Sequence, residues 1–151
     1  MSSALSTRIY IIMALDANLA LWITKYLEKI DKKSTPDPQN NCIVWTGSTK
    51  NFGGSKYGRF YYTSFDKSSP VETTAHRAVF MLKNNQYSLS PPPNTPFEGP
   101  WDVSHLCHNS LCVNIDHLSY EPHTVNMQRS ICKREKHCFG HLDFSQCVIY
   151  P

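Results

Sequence analysis

Residues 103–126 read VSHLCHNSLCVNIDHLSYEPHTVN and carry two cysteines, four histidines and a closing asparagine. Cysteine and histidine are scarce in ordinary folds, so crowding them points to a metal, a disulfide framework or catalysis. The spacing Cys107-x4-Cys112-x4-His117 supplies three of the four tetrahedral ligands that zinc wants, joined by short loops. Cys42, on an earlier strand-like run, is the natural fourth.

Farther along, Cys132-x5-Cys138-x2-His141-x5-Cys147 forms a complete Cys3His set within sixteen residues. His137 could stand in for His141, but it adjoins Cys138, and two adjacent residues rarely point at one ion. This partition uses all six cysteines of the chain. Three disulfides in a secreted protein would also explain an even number. They would not explain why a histidine completes each group at zinc spacing. Zinc also accounts for how the last twenty residues, poor in apolar side chains, can hold a fold. Each zinc with three thiolates carries −1, which brings the formal charge of +3 to about +1.

With 151 residues, the chain is expected to form one domain of ordinary size, rich in aromatics (12%) and poor in charge (18%). So weak a positive balance does not by itself argue for nucleic acid. Its distribution says more: Lys50, Lys56, Arg59, Lys67, Arg77 and Lys83 face only Asp66 and Glu72 between Cys42 and Ser90. Arg129, Lys133, Arg134 and Lys136 form a second cluster. Each cluster alone also reads as a solvated surface. The apolar run IYIIMAL (9–15) is too short for a membrane span and lacks a small-residue cleavage site after it. An intracellular protein with reduced thiols and no membrane contact is expected.

LDANLALWITKYLEKIDKK (15–33) has the period of an amphipathic helix, capped by Asp16, with Leu19, Ile23, Tyr26, Leu27 and Ile30 on one face. STPDPQNN (34–41) breaks it, CIVWTG (42–47) is a short strand, and STKNFGGSK (48–56) is turn-rich. In YGRFYYTSF (57–65), Arg59, Tyr61 and Thr63 alternate with Phe60, Tyr62 and Ser64, as in a half-solvated strand or one that lies in a DNA groove. VETTAHRAVFMLKNN (71–85) passes from strand into helix, and SLSPPPNTPFEGP (88–100) connects the halves. DVSHL (102–106) and HLSYE (117–121) are strands flanking the cysteine loop, and Pro122 opens a helix.

His105 therefore ends a strand beside a braced loop, where restricted freedom suits a general base. Asn126, on the following helix, offers a hard carbonyl oxygen of the kind Mg²⁺ accepts. A helix packed on both strands is expected to bring the two to a common cleft. A lone histidine beside a cysteine is more often a packing residue or a partner of metal ligands, and a lone helical asparagine more often solvated, so chemistry alone does not decide for catalysis.

SHLCHNSLC, NIDHL and the asparagine, cysteines and histidine that follow resemble the His-Cys box homing endonucleases, a branch of the ββα-metal (His-Me finger) nucleases. The resemblance is dense over 103–147, with Cys42 and the pair His76-Arg77 supporting it upstream, and absent from the first forty residues. It implies an α+β fold, a mixed antiparallel β-sheet and helices around a ββα-metal core with two structural zinc sites. Residues 1–40 would be an N-terminal helical segment and 41–151 the endonuclease domain. The activity implied is Mg-dependent hydrolysis of DNA phosphodiesters. Cys42, Cys107, Cys112 and His117 match one zinc site, and Cys132, Cys138, His141 and Cys147 the other. His105 matches the base that activates water, and Asn126 the protein ligand of the catalytic Mg²⁺. The family also uses an arginine near the scissile phosphate; Arg59 is the candidate and Arg77 the second choice. Double-stranded DNA would be the partner and the nucleus the location. Four residues follow Cys147, whereas dimerising members can carry a longer arm, so a nicking monomer and a homodimer both stay open. The rival is a non-catalytic zinc-stabilised nucleic-acid-binding module, which needs neither His105 nor Asn126.

Overall fold

A computed structural model describes residues 2–149, with side chains from residue 16 onward. The elements run α1 (Ser2–Asp31), β1 (Ser34–Pro36), β2 (Ile43–Trp45), β3 (Thr49–Phe52), β4 (Ser55–Thr63), β5 (Pro70–Thr74) and α2 (Ala75–Lys83). Then follow β6 (Trp101–His105), a 3-10 turn (Ile115–His117), β7 (Leu118–Pro122) and α3 (His123–Glu135). The strands form three antiparallel sheets, β1-β2, β3-β4-β5 and β6-β7, so the fold is α+β as expected.

The α1 stripe buries Ile23, Tyr26 and Ile30, with Leu19 and Leu27 packed against the same core. Burying side chains of this size stabilises by about 1.5–3 kcal/mol each. Asp16 does not cap this helix. The chain is already helical from Ser2, and nothing in 2–15 breaks it, so Asp16 is an exposed residue in mid-helix. The helix docks on the end of β4: the Trp22 indole donates to the Thr63 carbonyl at 2.8 Å, and the Tyr26 hydroxyl accepts from the Thr63 amide at 2.9 Å.

The alternation read in β4 holds, with Phe60 buried at 2% exposure and Arg59, Tyr61 and Thr63 exposed. Stretch 48–56 is more regular than expected. It contains β3, and the turn is only Gly53-Gly54, whose φ of 56° and 80° meet the demand of a two-residue primed hairpin. The helix-breaking stretch 34–41 likewise opens with β1, which pairs Pro36 with Ile43. Gly58 is needed for close approach, since a Cβ there would sit 2.7 Å from the Trp45 ring and 2.9 Å from Ala75 Cβ.

α2 contributes Ala75, Ala78, Val79, Met81 and Leu82 to a core shared with Val103, Val113 and Leu118. The β6-β7 hairpin pairs Trp101 with Pro122 through His105 with Leu118, and both α2 and α3 pack against it. Among the described residues, no helix is long and apolar enough to cross a membrane.

Candidate functional site

Ladder bonds explain how Cys42 reaches a loop sixty-five residues away. The Trp45 amide donates to the Leu111 carbonyl at 2.9 Å, the Val113 amide to Ile43 at 2.7 Å, and Val44 bridges Cys112. β2 is thereby stitched to the cysteine loop. Cys42, Cys107, Cys112 and His117 then point their ligand atoms to within 4.8 Å of one another. Cys42 Sγ lies 3.6 Å from Cys107 Sγ and 3.6 Å from His117 Nδ1, and Cys112 Sγ lies 3.5 Å from the same nitrogen. A zinc tetrahedron with bonds of about 2.3 Å to sulfur and about 2.05 Å to nitrogen has edges of about 3.8 and about 3.6 Å. The cluster fits that ion, and its sulfurs stand too far apart for disulfides; all six cysteines are free thiols.

Cys132, Cys138, His141 and Cys147 converge in the same way at the end of α3. His141 Nε2 is 3.6 Å from Cys132 Sγ and 3.4 Å from Cys147 Sγ, again the tetrahedral edge. His141, buried, is the histidine of this group; His137 is exposed and rests its ring on Phe139. The Val148 amide bonds the Leu106 carbonyl, which ties this segment back to the end of β6.

Crowded thiols cannot all ionise alone. Hydrogen bonding from Cys107 pulls the Cys112 thiol down to about 5, while burial pushes Cys42 up to about 11. Burial likewise lifts Cys147 to about 12. One thiolate per cluster suppresses its neighbours, and a divalent cation among them removes that conflict.

The first group fixes His105. Its Nε2 lies 3.0 Å from the carbonyl of Cys112, itself one of the four. A carbonyl only accepts, so Nε2 carries the proton and Nδ1 keeps the lone pair. Burial depresses the ring's pKa to about 4, which keeps it neutral at physiological pH. His76, on α2, sets its ring 4.3 Å from that of His105, tilted by 45°, and spends its own Nε2–H on the Val103 carbonyl at 3.1 Å. Tyr57 closes the group, 5.6 Å from His76 and 6.2 Å from His105.

Asn126 belongs to a different set of contacts. Its Nδ2 donates to Asp102 Oδ2 at 2.9 Å, and His123 Nδ1 meets the same oxygen at 2.6 Å. No contact joins Asn126 to His105 among the described residues. Their supports are on one strand, Asp102 and His105 being three residues, or roughly 10 Å, apart on β6. The second metal group steadies α3 beneath Asn126. Arg129, one turn on, donates to both oxygens of Glu121 at 2.7 and 2.6 Å, to the Ser145 carbonyl at 2.8 Å and to Cys147 Sγ at 3.4 Å.

Arg59 is exposed on the β4 face that also carries Tyr57 and Tyr61, and it pairs with Glu72 at 3.1 Å. Glu72 receives Lys50 at 3.1 Å as well, and the Arg59 bond draws its carboxyl down to about 2. One acid between two cations leaves this face net positive. Arg77, the second choice, lines a small cavity of about 160 Å³ with Tyr62, Met81 and Tyr87. Sequence reasoning missed Asp102 and the packing of the Tyr57 and His76 rings beside His105. Asp102 could have been found from strand alternation, which sets it on the same face as Ser104.

Comparison with curated proteins and with solved structures yields no match. Residues 41–147, which include all eight cluster ligands, match the family described as the zinc-binding loop region of homing endonuclease. That span covers most of the chain, and the two tetrahedral clusters give the match its physical content: the protein belongs to the His-Me (His-Cys box) homing-endonuclease type of family.

Proposed function

We propose that the protein is a Mg-dependent endonuclease that hydrolyses phosphodiester bonds of double-stranded DNA. The observation that carries this reading is the anchoring of His105 by the carbonyl of Cys112, 3.0 Å from Nε2. The carbonyl that fixes this tautomer belongs to one of the four cluster cysteines, so the ring is tied to the braced loop. Here Nδ1 is left with its lone pair, and the neighbouring His76 and Tyr57 rings limit the ring's rotation.

In this reading His105 takes the proton of the attacking water through Nδ1. Asn126 presents Oδ1 as the protein ligand of Mg²⁺, its Nδ2 being committed to Asp102. Mg²⁺, when bound, supplies charge for the pentacoordinate phosphate and the leaving oxygen. Arg59 exchanges Glu72 for phosphate when DNA arrives, and the Tyr57-Arg59-Tyr61 stripe leads the backbone toward His105. Lys50 and Arg59 together predict affinity that falls steeply with salt. With DNA as substrate, the nucleus is the location the reading favours.

The test is cleavage of supercoiled plasmid with Mg²⁺ by the wild type beside His105→Ala. Nicked or linear product from the wild type and its near absence from the variant support the reading. Direct linear product would indicate a homodimer, and persistent nicked circles a monomer. Equal cleavage by both proteins rules out His105 as the base. DNA binding without cleavage by either would favour a zinc-built binding module.

A further inference from the structure

We propose that Asp102 is a positioning residue that sets the amide of Asn126 for a divalent cation, an inference that rests on Asn126 being the ligand. A carboxylate has no hydrogen to give, so Asp102 accepts only the NH2 end of the Asn126 amide. The flipped amide would press its oxygen against a negative charge. Oδ1 is therefore turned away from Asp102, and none of the described residues bonds it. The carboxylate is itself held, because His123 Nδ1 donates to the same Oδ2 that receives Asn126.

Charge around the group points the same way. Asp102 is half-buried, with its side chain 28% exposed, and among the described residues no lysine or arginine pairs with it. Its cross-strand partner Glu121 is also an acid, and Arg129 is spent on Glu121. The carboxylate receives only His123 and Asn126, so its negative charge is left to favour a divalent ion on the adjoining amide oxygen. Asp102 does not need to touch the ion. It orders the ligand oxygen and adds a negative charge behind it, as partners of metal ligands commonly do.

The probe is Mn²⁺, titrated into the zinc-loaded protein, with free Mn²⁺ followed by electron paramagnetic resonance. Asn126→Ala and Asp102→Leu should each weaken Mn²⁺ binding about tenfold or more. Asp102→Asn, which still offers an acceptor to Nδ2, should stay closer to wild type. Zinc content and melting temperature are measured alongside. A merely structural Asp102 would lower the melting temperature and leave the Mn²⁺ constant alone. If Asn126→Ala loses Mn²⁺ and folded Asp102→Leu does not, the positioning role is overturned and the ligand role of Asn126 stands. If Asn126→Ala binds as the wild type does, Asn126 is no ligand and this inference falls with it. Should Asp102→Leu fail to fold, His123→Ala decides. Its ring is exposed and its loss leaves the carboxylate held by Asn126 alone, so it is combined with Asp102→Ala, and wild-type Mn²⁺ binding in that folded pair would overturn the proposal.

Discussion

Arg129→Met removes the cation from a buried ion pair while preserving most of the side-chain volume. In the wild type the Arg129 and Glu121 side chains are 2% and 0% exposed, and Glu121 receives two charge-assisted bonds at 2.7 and 2.6 Å. Taking away the arginine leaves Glu121 in the interior with no compensating charge. Among the described residues no lysine or second arginine stands ready to replace it. Breaking one side of such a pair costs about 3–5 kcal/mol. The bonds to Ser145 and Cys147 go too, so the C-terminal loop keeps the metal cluster but loses its Arg129 tie to α3. A domain of this size shifts its melting temperature by about 2–4 °C per kcal/mol, so a fall of roughly 6–20 °C is expected.

Thermal unfolding of zinc-loaded protein measures this, with Glu121→Leu/Arg129→Met as the control. The double variant removes both charges and fills the space with apolar groups, which is commonly near neutral for a buried pair. Recovery of most of the lost stability would mark the isolated carboxylate as the cause. A single variant costing under about 1 kcal/mol would place the pair in the class of solvated surface bridges and refute the argument.

Three further outcomes are expected. His76 is buried and held neutral well below its usual pKa, chiefly by burial and then by His105, so below about pH 6.5 the unfolded chain binds a proton that the fold refuses. Stability then falls as pH drops below that value, by up to about 1.4 kcal/mol per unit, and His76→Gln should lack this part of the slope; parallel urea-unfolding profiles would contradict it. Gly58→Ala forces a methyl against Trp45 and Ala75 and should cost about 1–3 kcal/mol in the same assay. Cys107→Ser and Cys138→Ser should each lower bound zinc from about two per chain to about one. Hydrogen exchange should then rise around 42–45 and 111–117 in the first variant and around 132–148 in the second; loss of both ions together would deny that the sites are independent.

Much of the site was legible because its chemistry is local in sequence. Cys107, Cys112 and His117 fall within eleven residues, and the second four within sixteen, so zinc spacing could be counted directly. Cys42 was harder, since its place depends on the β2 ladder with Leu111 and Val113; only the need for a fourth ligand pointed to it. β4 was readable because one face is buried and the other is not. β3 was not, for its residues are mostly exposed on both faces and lack the alternation that burial imposes. The start of α1 was misplaced because Asp16 suits a cap and equally tolerates an exposed mid-helix position. The bonds from Asp102 to His123 and Asn126 span more than twenty residues, and no short motif announces them.

The two metal clusters hold different halves of the candidate site. The first grips β2 and the loop, and through the Cys112 carbonyl it sets the tautomer of His105. The second, through Cys147 and Arg129, braces α3 on Glu121 of β7, and Asn126 stands one turn earlier on that helix. Few apolar residues near α3's C-terminal half are available for this work, since Met127, Ile131 and Phe139 are exposed and Arg129 and Cys132 are its buried side chains there. A tetrahedral ion replaces the missing hydrophobic contacts with bonds whose lengths and angles are fixed. Between the clusters runs β6, a five-residue strand that carries Asp102 as its second residue and His105 as its last. Tied at both ends, this strand holds the His105 ring and the Asp102–Asn126 pair on one short element, the kind of fixed positioning that the proposed reaction would need.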